Sequence, residues 1–123
     1  MMPKYRVWDK YTGRIHDVVG FDFIENEVHY ENYAEAEALI HARDFKDVEL
    51  MQSTGFKDVH GVEIYEGDIV QDCYSREVSF IEFKEGAFYI TFSNVTELLS
   101  ENDDIIEIVG NIFENEMLLE VMR

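Results

Sequence analysis

Residues 52–70, QSTGFKDVHGVEIYEGDIV, alternate short β-forming runs with turns marked by glycine, and this alternation decides the fold class. A turn is predicted at residues 58–61, because an Asp in its first position can accept hydrogen bonds from the following backbone and a Gly can end it without steric cost. Residues 62–65 favour a strand, Glu66-Gly67-Asp68 interrupts it, and Ile69-Val70 begins the next one. The segment specifies local shape and contains no nucleophile–base pair, metal-ligand cluster or phosphate-binding loop.

The rest of the chain predicts a mainly β protein with a minor α contribution. Alternating or continuous apolar runs bounded by turns predict strands at residues 4–9, 15–24, 27–30, 46–52, 69–74, 77–83, 87–92 and 105–113. The clearest hairpin joins residues 77–83 to 87–92, and residues 105–113, apolar on both faces, are expected to form a central strand. These short, turn-linked strands predict a small SH3-like barrel or a coiled antiparallel sheet with short helices.

Three segments are expected to be helical. Asn32 can cap a helix, Glu35 follows three residues later, and an apolar stripe runs along one side, so a helix is predicted over residues 32–42. The stripe consists of Ala36, Leu39 and Ile40. A helical turn is predicted at residues 94–100 and a short helix at residues 114–122. In the last helix four apolar side chains are expected to face inward, those of Met117, Leu118, Val121 and Met122.

Length and composition set the class of protein. A chain of 123 residues predicts a single compact domain, with possible sub-lobes at residues 1–50 (strands plus the short helix) and 51–123 (a barrel-like β region). A hydrophobic content of 46%, with nine Phe and seven Tyr, suffices for a core and argues against disorder. Neither a signal segment nor an apolar run near the roughly 20 residues of a membrane helix is present, so a cytoplasmic protein is expected. The single Cys73 fits a reducing compartment.

The charge of the chain points to the class of its partner. Ten Lys and Arg stand against 27 Asp and Glu, which gives a formal net charge of −17. Lys and Arg are absent between Arg14 and Arg43 and again between Lys84 and Arg123. Direct nucleic-acid binding is disfavoured, because it depends on protein cations that displace counterions from phosphates. The same charge favours the approach of basic proteins, so a protein partner is expected.

Several blocks of sequence resemble the YopX family, small proteins of bacteriophages and prophages of Gram-positive bacteria. The blocks lie near both ends and in the middle of the chain: RVWDK at residues 6–10, LMQ at 50–52, TGFKD at 54–58, Gly61, EIYEGDIV at 63–70 and VGNIFEN at 109–115. Phe56 stands where Leu is usual in the family, and Val59-His60 replaces a more polar turn centre. The resemblance implies an origin and a fold, and it carries no site residue over to this chain.

Several side chains have the chemistry for catalysis or metal binding, and each also has a structural explanation. Glu63, Glu66 and Asp68 offer clustered carboxylates of the kind used in acid–base catalysis or in binding hard cations. Their spacing does not match an EF-hand loop, and a turn whose carboxylates cap backbone N–H groups explains them more simply. Zinc sites use closely spaced ligand pairs, whereas the histidines are scattered, at His16, His29, His41 and His60. No catalytic residue, metal or cofactor is assigned.

Binding is the remaining role, and five residues are its candidates: Arg6, Trp8, Tyr65, Glu66 and Asp68. Arg6 and Trp8 share one face of the first predicted strand, and an exposed Trp beside an Arg is typical of contact hot spots. Core packing is the alternative role for Trp8.

These observations favour a non-enzymatic, phage-type accessory protein of unknown role that binds another protein. An acidic DNA mimic that inhibits a host nucleic-acid-binding protein is the first alternative, and a small carboxylate-based enzyme is the second. A homo-oligomer stays open, since exposed strand edges invite pairing while the net charge opposes it.

Overall fold

Antiparallel β-strands make up most of the chain in this computed structural model, which describes residues 4–32 and 39–121. The prediction of a mainly β protein is confirmed, and none of the sheets formed by the described residues closes into a barrel. By its internal contacts the chain divides into two compact units, Met1–Gln52 (the N-terminal unit) and Ser53–Arg123 (the C-terminal unit). Among the described residues, no helix is long and apolar enough to cross a membrane.

An antiparallel sheet forms the N-terminal unit, with strand order β4-β3-β2-β1-β5. Its strands are β1 (Tyr5–Asp9), β2 (Arg14–Asp22), β3 (Glu27–Asn32), β4 (Leu39–Asp44) and the first half of β5 (Val48–Lys57). A short 3-10 helix, Phe45–Asp47, joins β4 to β5. The core of this unit is small and β-branched or aromatic, with Val7, Val28, Tyr30 and Val48 buried and Val18, Phe21 and Phe45 packed against them.

The helix predicted over residues 32–42 is wrong where the structure describes it. Leu39–Asp44 is strand β4, paired with β3 in a continuous register from Glu27↔Asp44 to Asn32↔Leu39. Residues 33–38 of the predicted helix lie outside the described residues. The ladder to β3 outweighs the helical pattern here, because intrinsic helix propensity is a weak preference that tertiary pairing readily overrides.

The C-terminal unit contains the rest of β5, which pairs with β6 (Glu63–Tyr65), and two three-stranded sheets. In one sheet β7 (Asp68–Asp72) lies between β12 (Ile106–Asn111) and β8 (Val78–Phe80). In the other, β10 (Ala87–Phe92) lies between β11 (Val95–Leu98) and β9 (Glu82–Lys84). A single apolar cluster serves these strands, made of the buried Ile64, Val70, Ile81, Ile90, Leu99 and Ile106.

The turn predicted at residues 58–61 is confirmed and is held by the Asp58 carboxylate. The Gly61 N–H donates to the Asp58 carbonyl at 3.0 Å, and Gly61 has a φ of +79°. One carboxylate oxygen of Asp58 accepts the N–H groups of His60 and Val62, and the other accepts that of Ile108 on β12. Burial acts to raise the pKa of Asp58, but these backbone hydrogen bonds outweigh it and hold the pKa below its ordinary value.

The strand predicted at residues 77–83 is interrupted at Ile81. The Ile81 N–H donates to the Asp68 carbonyl at 3.0 Å, and the Ile81 carbonyl accepts the Gly67 N–H at 2.9 Å. The chain therefore pairs with β7 before Ile81 and with β10 after it. The predicted hairpin is present as β9 and β10. Glu85-Gly86 joins the two strands with φ values of +51° and +80°, as a type I′ turn requires.

Three predictions near the C-terminus need correction. Residues 95–98 form strand β11 rather than a helical turn, because Ser93 and Asn94 both adopt positive φ and reverse the chain tightly. A 3-10 helix follows at Leu99–Glu101 and a further one at Asp103–Ile105. The strand predicted at residues 105–113 is β12, which lies beside β7 at the margin of its sheet rather than at the centre. The last helix is Met117–Val121, but Met117 is 73% exposed instead of inward, since one turn of helix can bury only one side. Met122 lies outside the described residues.

Replacing Gly110 with Ala is expected to destabilise the protein by about 1–3 kcal/mol, because the added methyl group overpacks a fixed side chain. A Cβ on Gly110 would lie 2.5 Å from Asn115 Oδ1 and 2.8 Å from Asn115 Cβ, and Asn115 Oδ1 already accepts the Asn111 N–H. Gly20→Ala is the matched control, since nothing lies within 4 Å of its added Cβ. Urea unfolding of both variants measures the difference, and equal midpoints would contradict this account of Gly110.

Candidate functional site

A buried carboxylate links three strands of the N-terminal unit. Asp9, at the end of β1, is fully buried. It accepts hydrogen bonds from the Tyr30 hydroxyl on β3, from Arg43 Nε on β4 at 2.9 Å, and from the Tyr11 N–H at 2.8 Å. Asp9 therefore ties β1 to β3 and β4, and the Arg43 guanidinium compensates its charge.

Aromatic rings stack beside this carboxylate. The His16 and Tyr30 rings lie 4.0 Å apart at an interplanar angle of 13°, and the Tyr30 and His41 rings lie 5.5 Å apart at 12°. Thr12 Oγ1 is hydrogen-bonded to His16 Nε2 at 3.0 Å. The three rings come from β2, β3 and β4, so the stack runs across the strands of the sheet.

Burial and hydrogen bonding set the protonation of this network. Burial acts to raise the pKa of Asp9, but the hydrogen bonds from Tyr30, Tyr11 and Arg43 prevail and leave it below its ordinary value. Burial, with the hydrogen bond and charge of Asp9, raises the pKa of Tyr30 to about 12. Burial lowers the pKa of His16. At neutral pH the network thus contains a carboxylate, a neutral phenol and a neutral imidazole, all held by neighbours within the fold.

An aromatic cleft lies on the same unit and is a candidate binding site. Its volume is about 490 Å³, and apolar residues line it: Tyr5, Phe21, Phe23, Val28, Phe45, Val48 and Leu50. The rings contact each other, with centroid distances of 5.4 Å for Tyr5–Phe21, 5.7 Å for Phe21–Phe23 and 6.2 Å for Phe23–Phe45. Such a cleft can take up one or two large apolar groups.

Hydrogen bonds hold in place the two segments that carry Phe23 and Phe45 in the cleft wall, the β2–β3 turn and the 3-10 helix. The turn between β2 and β3 is closed by the Asp22 carboxylate, which accepts the N–H groups of Ile24 and Glu25 at 3.0 and 3.1 Å. The Phe45 N–H donates to the Asn26 carbonyl at 3.0 Å, which links this turn to the 3-10 helix. Phe23 is nevertheless 76% exposed and Leu50 46% exposed. The cleft is therefore ordered but open.

The sequence-predicted binding residues fall in both units. Arg6 and Trp8 are half-buried on β1. In the antiparallel register with β2, Arg6 lies opposite Asp17 and Trp8 lies opposite Ile15. Tyr65 and Asp68 meet in the turn between β6 and β7: Asp68 is almost fully buried and accepts the Tyr65 N–H at 2.7 Å, the capping role expected of it. Glu66 lies in the same turn. Their part in binding stays a prediction.

The residues that build the cleft and the buried network did not stand out in the sequence. A usable signal exists for Asp9, because it continues the inward face of Tyr5 and Val7 at period two, where a charged residue is unusual. No such signal marks Phe45, which reaches the cleft only because the 3-10 helix follows β4. Within the described residues, no group of three His, Cys, Asp or Glu is arranged to hold a metal ion.

A second, polar cleft of about 380 Å³ lies in the C-terminal unit, with Glu77, Val78, Ser79, Phe80, Thr91, Ser93, Asn94 and Leu119 around it. The Glu77 carboxylate accepts both the N–H and the hydroxyl of Ser93, at 3.1 and 2.8 Å. These bonds brace the Ser93-Asn94 turn, so Glu77 has a structural role there.

Comparison with known proteins places the chain in a family. The model of the family described as YopX protein matches residues 4–120. This chain belongs to the YopX family. The match includes both the 52–70 segment and the strand that ends at Asp9, and it confirms the family predicted from the sequence.

A solved structure shares the fold of this YopX-family protein. The crystal structure of protein EF1440 from Enterococcus faecalis superimposes with a TM-score of 0.70 and is 27% identical in sequence. The similarity covers 97% of this chain and 99% of the Enterococcus chain. No curated protein sequence is significantly similar to this one.

Asp9→Asn is expected to lower the free energy of unfolding by about 2–4 kcal/mol, because it leaves the Arg43 charge without its partner and turns an amide NH₂ toward hydrogen-bond donors. Asp44→Asn is the control, since Asp44 is exposed and Asn can keep its bond to the Lys46 N–H. Urea unfolding at neutral pH gives both values. A loss for Asp9→Asn no larger than for the control would show that the network does not support the fold.

Tyr30→Phe is expected to remove part of the alkaline sensitivity of the protein. The pKa of Tyr30 is raised from 10.0 to about 12 in the folded state, so its contribution is fully present below pH 10 and is lost as the pH rises through about 12. Between these values the wild type should lose stability more steeply than Tyr30→Phe. Urea unfolding at pH 8, 10 and 11.5 tests this, and parallel pH profiles for the two proteins would refute it.

Proposed function

We propose that this YopX-family protein is a phage- or prophage-encoded accessory protein that acts in the cytoplasm, without catalysis, by binding another protein through its aromatic cleft. One observation carries the proposal: an ordered cleft of about 490 Å³ lined by apolar side chains, with Phe23 at its edge 76% exposed. Exposed apolar surface of this kind is costly in water and is typical of contact sites.

The construction of the cleft supports a protein partner. Aromatic side chains dominate contact hot spots because they bury a large area and lose little conformational entropy. Here the turn that carries Phe23 is closed by the Asp22 carboxylate and is joined to Phe45 by a backbone hydrogen bond. Such preorganisation lowers the entropic cost of association.

The groups with shifted pKa values also support binding rather than catalysis. Asp9 and Asp58 each accept three hydrogen bonds from their own unit, and Tyr30 donates to Asp9. Catalytic groups need to reach a substrate, and none of these three lines the cleft. Nor does His16, whose pKa burial lowers and whose Nε2 is hydrogen-bonded to Thr12. Their shifts follow from structural roles.

Phe23→Ala is expected to weaken partner binding by about 10-fold or more, as truncation of an aromatic hot spot does, while the fold stays intact because the side chain is largely exposed. Tyr74→Ala is the matched control, an equally exposed aromatic residue of the C-terminal unit, at 83% exposure. The experiment is capture from lysate of a Gram-positive host at low and moderate salt, followed by titration of the captured protein against wild type and both variants.

Loss of binding in Phe23→Ala alone would support the cleft as the contact surface. Equal affinity in all three proteins would exclude it. Capture of a DNA-binding protein only at low salt, reversed by added duplex and indifferent to Phe23, would instead favour the acidic DNA mimic, because contacts made by carboxylates are screened by salt.

A further inference from the structure

The stack of three rings in the N-terminal unit contains two histidines, and one of them, His16, lies among positively charged side chains. We propose that His16 makes this unit sensitive to acid, so that mildly acidic pH weakens the N-terminal unit and leaves the C-terminal unit unchanged. This property goes beyond the proposed function, because it holds whether or not the aromatic cleft binds a partner.

His16 is packed into the sheet by neighbours from its own unit. It lies on β2, between β1 and β3, and opposite the fully buried Val7 of β1. Its ring lies 4.0 Å from the Tyr30 ring at an interplanar angle of 13°, and its Nε2 is hydrogen-bonded to Thr12 Oγ1 at 3.0 Å. The half-buried imidazole has lost part of its hydration, which disfavours the protonated form.

The charged groups around His16 also oppose its protonation. Among the described residues, the groups whose charge acts on it are Asp9 at the end of β1, Arg14 on β2, and His41 and Arg43 on β4. Three of these four are basic. The one carboxylate, Asp9, already accepts a hydrogen bond from Arg43 Nε at 2.9 Å. Protonation of His16 would therefore add a positive charge to a group that has a single carboxylate to balance it.

Burial and the neighbouring cations lower the pKa of His16 together. Burial is the largest cause, and the charges of His41, Arg14 and Arg43 add to it, whereas the charge of Asp9 acts to raise the pKa and does not prevail. The unfolded chain keeps the ordinary pKa of 6.5. The contribution of His16 to stability is therefore fully present above pH 6.5 and is lost as the pH falls from 6.5 toward the lower pKa of the folded state.

Two other histidines differ from His16, because each lies beside a carboxylate. His29 Nε2 lies 3.8 Å from a Glu27 oxygen on the same strand. His60, the one histidine of the C-terminal unit, has its Nε2 3.0 Å from a Glu107 oxygen. Protonation of either ring adds an attraction rather than a repulsion. Acid is therefore expected to weaken the N-terminal unit through His16 and to spare the C-terminal unit.

The test is hydrogen exchange of the full chain at pH 7.5 and 5.5, measured by mass spectrometry and corrected for intrinsic exchange rates. Protection of β2 and β3 should fall by about 3–10-fold at the lower pH, because one histidine that resists protonation one pH unit below its ordinary pKa accounts for at most about 10-fold. Protection of β7 and β12 in the C-terminal unit should change by less than about 2-fold.

His16→Phe keeps a planar ring in the stack and cannot be protonated. In this variant the protection of β2 and β3 should differ between the two pH values by less than about 2-fold. His29→Phe is the matched control, since it removes a histidine from β3 of the same unit and should retain the wild-type pH dependence.

A loss of protection confined to the N-terminal unit and abolished by His16→Phe would support the proposal. A loss that His16→Phe retains, or one that is equal in both units, would overturn it. If His16→Phe does not fold, an NMR titration of the histidine ring protons in the wild type decides. A midpoint at or above pH 6.5 for His16, identified by its contact with Tyr30, would then contradict the proposal, and a lower midpoint would support it.

Discussion

The N-terminal unit depends on one buried carboxylate. Asp9 accepts hydrogen bonds from the Tyr30 hydroxyl on β3, from the Arg43 guanidinium on β4 and from the Tyr11 N–H of its own turn, so a single side chain joins β1 to two other strands. A charge buried in this way is tolerated only when it is fully bonded. This requirement fixes the positions of the Tyr30 and Arg43 side chains on β3 and β4.

A buried, hydrogen-bonded carboxylate also stabilises the C-terminal unit. Asp58 accepts three backbone N–H groups, two from its own turn and one from Ile108 on β12. In each unit, one carboxylate thus stabilises a local turn and links it to a strand that is distant in sequence. In both cases the hydrogen bonds to the carboxylate outweigh the effect of burial on its pKa. The high acidity of the chain is therefore partly structural.

The features that could be predicted from the sequence are those that depend on interactions between residues close together in the chain. The 58–61 turn, the β9–β10 hairpin and the capping role of Asp68 depend on neighbours within a few residues, and all three were predictable. The helix over residues 32–42 was not: the stripe of Leu39 and Ile40 fits a helix locally, yet the full ladder to β3 makes this segment a strand. Ile81 interrupts its predicted strand for the same reason, since its backbone bonds go to Asp68 and Gly67.

The sequence by itself determined the β-rich class, the family, the turns and the charge of −17, because each follows from local patterns or composition. Only the tertiary structure decided which residues form the candidate site. Tyr5, Phe21 and Phe45 come from separate elements, and strand pairing brings them together around the cleft. Strand register arises from pairing over long separations, which local sequence patterns do not encode.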